Sequence, residues 1–184
     1  MYYEHPLIQP QCVQQRDYQV ELARRAARSS TLLVLPTGLG KTVVAAMVIA
    51  KVLQEKGGKV LFLAPTRPLV EQHHRSMEGM IRGKRIGMMT GEVDPLEREL
   101  VFLESDIVTS TPQVVANDLK NGRLDLSKVK LIVFDEAHHL SAYKSGGKTK
   151  KTDNFKLAEF IRGHCRDLLL LSATPHQGDH FRFW

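Results

Sequence analysis

Apolar positions along the chain fall into short runs separated by longer segments in which they recur at helical spacing. The runs at 31–35, 60–64, 85–89, 106–109, 130–134 and 168–171 read as strands. Residues 13–28, 41–55, 68–81, 95–103, 112–119 and 154–162 read as helices. In the first helix Val20, Ala23 and Ala27 share a face, and Gly57 and Gly58 stop the second. Strands that are apolar throughout, rather than alternating, suit burial on both faces. Their alternation with helices predicts an α/β fold built on a doubly wound parallel sheet. Such sheets bind ligands beyond the carboxyl ends of their strands. Pro36, Pro65, Ser110, Asp135 and Ser172 each follow directly on a predicted strand, so they are expected along one edge.

Composition narrows the setting more than the chemistry. The 184 residues suffice for one α/β domain with a real core and are too few for two of that size. No apolar run approaches the roughly 20 residues of a membrane span, and residues 1–10 lack an apolar signal core. The expected setting is therefore cytoplasmic, and nucleoid-associated in a prokaryote. Cys12 and Cys165 have no C-x-x-C partner, so both are expected as reduced thiols rather than zinc ligands. The net charge of +6 favours a polyanionic partner without proving one. Residues 144–151, KSGGKTKK, carry four lysines and no acid. They read as a flexible surface loop, either a solvated linker or a phosphate contact.

The first chemical motif is Pro36-Thr37-Gly38-Leu39-Gly40-Lys41-Thr42, between a predicted strand and a predicted helix. Glycines let backbone N–H groups curl around phosphate oxygens, and the helix that starts here adds its positive end. Lys41 would reach β- and γ-phosphates, and the Thr42 hydroxyl would ligate Mg2+. Leu35 stands where the strict phosphate-loop pattern has its first glycine, and a bare Gly-Lys-Thr also occurs by chance.

The second motif is the apolar run 131–134 ending in Asp135-Glu136-Ala137-His138. Mg2+ takes hard oxygen ligands, so Asp135 at a strand end would hold the ion. Glu136 would orient and deprotonate an attacking water. Two acids alone are usually a solvated turn; paired with a phosphate loop on another strand of the same sheet they point to nucleotide hydrolysis. His138 reads as a coupling residue between the phosphate site and a nucleic-acid site, and His139 as structural or solvent-facing. Neither has further ligands at a zinc spacing.

Taken in order, PTGLGKT, APTRPLVEQ, TPQV, DEAH and SAT resemble the first RecA-like, ATP-binding domain of superfamily 2 DEAH-type helicases. The resemblance runs from about Arg16 to Thr174, and the family tolerates a non-glycine at the Leu35 position. It implies ATP and Mg2+ as cofactors, with the roles given above for Lys41, Thr42, Asp135 and Glu136. Arg16 and Gln19 resemble an adenine-recognition motif, a glutamine amide being able to pair with adenine N6 and N7 together. Thr66 and Arg67, Gly91, and Thr111 resemble motifs that touch the nucleic-acid backbone, where contacts carry little sequence specificity. Ser172 and Thr174 resemble the motif linking hydrolysis to movement. Up to about His139 the chain is similar to Hef-type and Fanconi-anaemia M-type DNA translocases, and from Leu168 to bacterial Swi/Snf-type ATPases.

Two parts are implied: residues 1–30, a helix with the adenine motif, and residues 31–184, the RecA-like domain. The implied activity is ATP hydrolysis coupled to DNA binding and translocation, in repair or remodelling. RNA-dependent hydrolysis, or a nucleic-acid-binding module without turnover, are the alternatives. A small-molecule phosphate-loop kinase would not need PTRPLVEQ or SAT. Members of this superfamily use a second RecA-like domain, whose arginine meets the γ-phosphate. Since the sequence stops ten residues past Thr174, this chain is expected to bind ATP–Mg2+ weakly, hydrolyse it poorly and not unwind.

Overall fold

The structure, a computed structural model, describes residues 1–140, 142–145 and 148–173. Strands β1 (Thr31–Val34), β2 (Lys59–Leu63), β3 (Ile86–Met89), β4 (Ile107–Ser110) and β5 (Val129–Phe134) share one sheet with a later strand, β8 (Asp167–Ser172). The order across that sheet is β1-β8-β5-β2-β4-β3, and every pairing is parallel. Helices α1 (Asp17–Ala26), α2 (Lys41–Lys56), α3 (Arg67–Met80), α4 (Pro95–Glu104), α5 (Pro112–Lys120) and α6 (Asp153–Arg162) complete the two-sided wrap. The doubly wound fold expected from the sequence is the one observed.

Strand residues alternate between two apolar layers. Val60, Phe62, Leu131, Val133, Leu169 and Leu171 pack with α1, α2 and Met77 of α3. Leu61, Leu63, Ile132 and Phe134 face the other way, onto Phe102 of α4, Val115 of α5 and Leu157 and Ile161 of α6. Helix α2 is buried from Val44 to Ala50, which explains its nearly unbroken apolar sequence.

Two expectations need correction. The first helix begins at Asp17 rather than at residue 13. The preceding residues are extended and pair with the start of the chain: the Tyr3 N–H donates to the Val13 carbonyl at 2.9 Å, and Tyr2 bridges Gln14. The lysine-rich segment read as a loop lies instead in an antiparallel ribbon of β6 (Ala142–Ser145) and β7 (Lys148–Lys151). Its register pairs Ser145 with Lys148, and Gly-Gly between two such runs is a two-residue hairpin signal that the charge count masked. Gly146 and Gly147 lie outside the described residues, as do Thr174 and the apolar tail to Trp184.

Candidate functional site

Backbone pairing carries past the strand ends and assembles one edge. The Leu35 N–H donates to the Ser172 carbonyl at 3.1 Å, Ala64 to Ser110 at 3.1 Å and Asp135 to Leu63 at 2.8 Å. The phosphate loop leaves this edge from β1, and the carboxylates leave it from β5, with β8 between them.

In the loop, Pro36, Thr37, Gly38 and Leu39 are exposed, while Gly40, Lys41 and Thr42 are half-buried. Gly40, at φ 82°, is the N-cap of α2 and brings no side-chain cap, so the first helical N–H groups lack an intrahelical or side-chain partner. The positive φ calls for glycine at residue 40, and a Cβ there would also displace the Gln19 amide, lying 2.3 Å from its Nε2. Gln19 is buried, and its Nε2 donates to the Leu39 carbonyl at 3.0 Å. Tyr18 Oη donates to the same carbonyl at 3.0 Å, and Arg16 Nη1 to Tyr18 Oη at 3.3 Å. The residues expected to face a base therefore also hold the loop. Lys41 Nζ curls back to the Leu35 carbonyl at 3.1 Å, at the position where the strict motif has glycine.

Directly after β5, Asp135 is buried at its side chain and accepts a 2.6 Å contact from His73 Nε2. Glu136 has φ 52° and ψ 46°, a left-handed conformation rare outside glycine and concentrated at functional sites. It starts a short 3-10 turn, Ala137–His139, which stands His138 over the sheet edge. His138 Nδ1 lies 3.2 Å from Glu136 Oε2 and 3.5 Å from Ser172 Oγ, so one imidazole joins the second carboxylate to the end of β8. His139 is exposed, with its ring 4.3 Å from that of His138. Sequence spacing shows no metal partners for the histidines, yet donor atoms of Glu136, His138 and His139 lie within 4.8 Å of one another. His138 Nδ1 is already turned to Glu136 and Ser172.

The backbone-contact candidates sit at helix starts beside this edge. Thr66 is the exposed N-cap of α3 and makes no capping bond, so its hydroxyl is not used by its own helix. Arg67 is held by Glu71 at 2.8 Å and also by Glu92. Gly91 is exposed, and a Cβ there would meet nothing within 4 Å, so packing does not demand glycine. Thr111 caps α5, accepting from the Val114 N–H at 3.4 Å. Nearby, Gln113 Nε2 donates to Asn154 Oδ1 at 2.9 Å and joins α5 to α6.

Residues 15–180 match the family profile described as DEAD/DEAH box helicase, which covers most of the chain. The chain belongs to the DEAD/DEAH box helicase family. A Methanocaldococcus jannaschii protein provisionally named ATP-dependent RNA helicase is 44% identical over 141 residues, covering 76% of this chain and 18% of its own length. The mouse Fanconi anemia group M protein homolog is 36% identical over 169 residues, 87% of this chain and 8% of that protein. The Neurospora crassa ATP-dependent DNA helicase mph1 is 35% identical over 166 residues, 87% of this chain and 13% of that protein. The crystal structure of the Pyrococcus furiosus Hef helicase domain superposes with a TM-score of 0.80 at 34% identity, covering 93% of this chain and 36% of that one. This DEAD/DEAH box chain thus spans less than a fifth of the three relatives' length. The resemblance to Hef-type and Fanconi-anaemia M-type proteins read from the motifs is met by these matches.

Within the helicase frame, three features escaped the sequence reading. His73 reaches Asp135 from α3. Its signal is a polar residue inside the buried stripe Val70, His73, Met77. Arg98 and Asp118, both buried, form a two-pronged ion pair at 2.7 Å and 2.7 Å between α4 and α5. Arg98 Nη1 also donates to the Val93 carbonyl, just after Gly91 and Glu92. Glu92 is the third: it occupies the guanidinium that would meet a phosphate. Glu92→Gln is expected to tighten binding of a duplex oligonucleotide roughly two- to fivefold at low salt, with the gain fading as salt rises. Fluorescence anisotropy across a salt series reads this, and equal affinities at low salt would rule out competition for Arg67.

Proposed function

We propose that the chain is the ATP-binding motor domain of a DNA-dependent ATPase of the helicase class. The observation that carries this reading is the shared edge that bears an uncapped, glycine-bent loop with Lys41 and Thr42 and, two strands away, Asp135 and Glu136. The donor set fits a triphosphate with a hard cation. Helical N–H groups and Lys41 would take phosphate oxygens. Asp135, with Oδ2 accepting from His73, and the Thr42 hydroxyl are the residues that would hold the cation. When bound, Mg2+ supplies charge neutralisation at the phosphates. Glu136 would hold the attacking water and take its proton, and His138 would pass the state of that carboxylate to Ser172.

Thr66, Arg67, Gly91 and Thr111 would track a phosphate backbone, and the similarity to Fanconi-anaemia M, mph1 and Hef proteins favours DNA. The M. jannaschii relative's name favours RNA as the second reading. Turnover is taken to need a second RecA-like domain supplying an arginine, as in other motors of this type. Among the described residues no helix is long and apolar enough to cross a membrane.

Lys41→Ala is expected to weaken Mg2+–ATP binding by about 10- to 100-fold, the range for losing one charge-assisted contact. Calorimetric titration checks it; unchanged affinity would move the nucleotide away from this loop. Binding and nucleotide turnover with DNA and RNA oligomers of one sequence then separate the two polymers. Equal or stronger response to RNA would overturn the DNA assignment.

A further inference from the structure

We propose that His73 is a positioning residue that ties the nucleic-acid-contact helix to the cation carboxylate, an inference that rests on the function proposed above. Helix α3 carries Thr66 as its N-cap and Arg67 in its first turn, both exposed at the sheet edge. Six residues after Arg67 the same helix presents His73, buried, with Nε2 at 2.6 Å from Asp135 Oδ2. The imidazole is wedged against Phe62 of β2, with ring centroids 4.5 Å apart and planes at 28°. It therefore has few alternative orientations. A carboxylate only accepts hydrogen bonds, so the contact fixes the hydrogen on Nε2.

Packing alone does not call for a histidine here. Val70 and Met77, on the same face of α3, are fully buried and apolar, and a leucine at 73 would continue their stripe. The imidazole instead leaves its Nδ1 buried without a hydrogen-bond partner. Its polar interaction is with Asp135, a carboxylate the phosphate loop itself does not touch in this structure. Holding one carboxylate oxygen restricts the rotation of the carboxylate and leaves the other free to bind, which is how outer hydrogen bonds orient a metal ligand. Because Arg67 and His73 ride on one helix, a backbone phosphate seated on Arg67 and a cation seated on Asp135 act on the same rigid element. By linkage each would alter the affinity of the other.

The test is Mg2+ titration of fluorescent ADP binding to the chain, in the parent, His73→Leu and His73→Gln. Leucine keeps the packing and removes the donor; the glutamine Nε2 restores a donor at similar reach. The half-saturating Mg2+ concentration is expected to rise about 10- to 100-fold in His73→Leu, the usual range for losing an outer-shell partner, with Mg2+-free binding unchanged. His73→Gln should recover most of the loss, and thermal melting should differ little between the two variants. Equal Mg2+ dependence in parent and His73→Leu would overturn the proposal while leaving the nucleotide site intact. So would a His73→Gln no better than leucine. A parent that binds no nucleotide in a Lys41-dependent way would overturn the function itself and this inference with it.

Discussion

Asp118→Ala is expected to lower the unfolding free energy of the chain by about 3–5 kcal/mol, the range for leaving one partner of a buried ion pair uncompensated. Asp118 is fully buried and takes both prongs of Arg98, with Arg123 adding a longer contact at 3.4 Å. Without the carboxylate, the buried Arg98 guanidinium keeps the Val93 carbonyl as its hydrogen-bond acceptor. Against a total stability of roughly 5–15 kcal/mol for a domain, that loss is large. Denaturant melts of the parent, Asp118→Ala and Asp118→Asn measure it, the asparagine losing less because it keeps one acceptor in place. The double change Arg98→Met with Asp118→Leu should lose less than Asp118→Ala, since it buries no charge at all. A double variant as unstable as the single one would show that packing volume, not the uncompensated charge, sets the cost.

The same pair joins the two outer loops proposed to meet a nucleic-acid backbone. Arg98 fastens the chain after Gly91 and Glu92, and Asp118 lies on α5 about two turns beyond its N-cap Thr111. In Asp118→Ala protein that remains folded, oligonucleotide affinity should fall along with stability, because both loops lose their common brace.

How far the sequence disclosed this arrangement depends on whether a feature is local. The strands β2, β4 and β5 were legible because they are buried on both faces over most of their length and therefore carry runs such as Val60–Leu63, Ile107–Val108 and Leu131–Phe134 with no polar alternation. The edge bearing Leu35, Asp135 and Ser172 followed from the rule that parallel strands deliver their carboxyl ends together. The start of α1 was not legible, because residues 13–16 are kept extended by pairing with Tyr2 and Tyr3 at the other end of the N-terminal segment. The lysine ribbon was missed because charge density outweighed the Gly-Gly turn signal. His73 and Arg98 sit in amphipathic helices whose sequences say only that one polar residue falls on the buried side. Their partners, Asp135 and Asp118, are 62 and 20 residues away, and only the packed structure brings them within bonding distance. Gln19 shows the converse: its type was noticed, but not that its amide would be engaged by the Leu39 carbonyl.

Glu136→Gln should reduce nucleotide hydrolysis by about 10²- to 10⁴-fold, the contribution expected of a positioned general base, with nucleotide binding nearly unchanged. The change suits the site because it alters charge and basicity while conserving shape. His138 Nδ1 lies 3.2 Å from Glu136 Oε2, and an amide at that position can still meet the imidazole. The left-handed backbone at residue 136 is equally strained for both side chains, so no relief of strain complicates the comparison. Asp135, whose carboxylate is set by His73 rather than by its neighbour, keeps its orientation and with it the cation affinity. Single-turnover phosphate release, measured in a form of the protein that hydrolyses ATP, gives the rate, and nucleotide titration gives the affinity. A collapse of both together would mean that Glu136 holds the cation or the nucleotide instead. A rate within a few-fold of the parent would transfer the role of base to another group, and His138, which bridges Glu136 and Ser172, is the next residue to substitute.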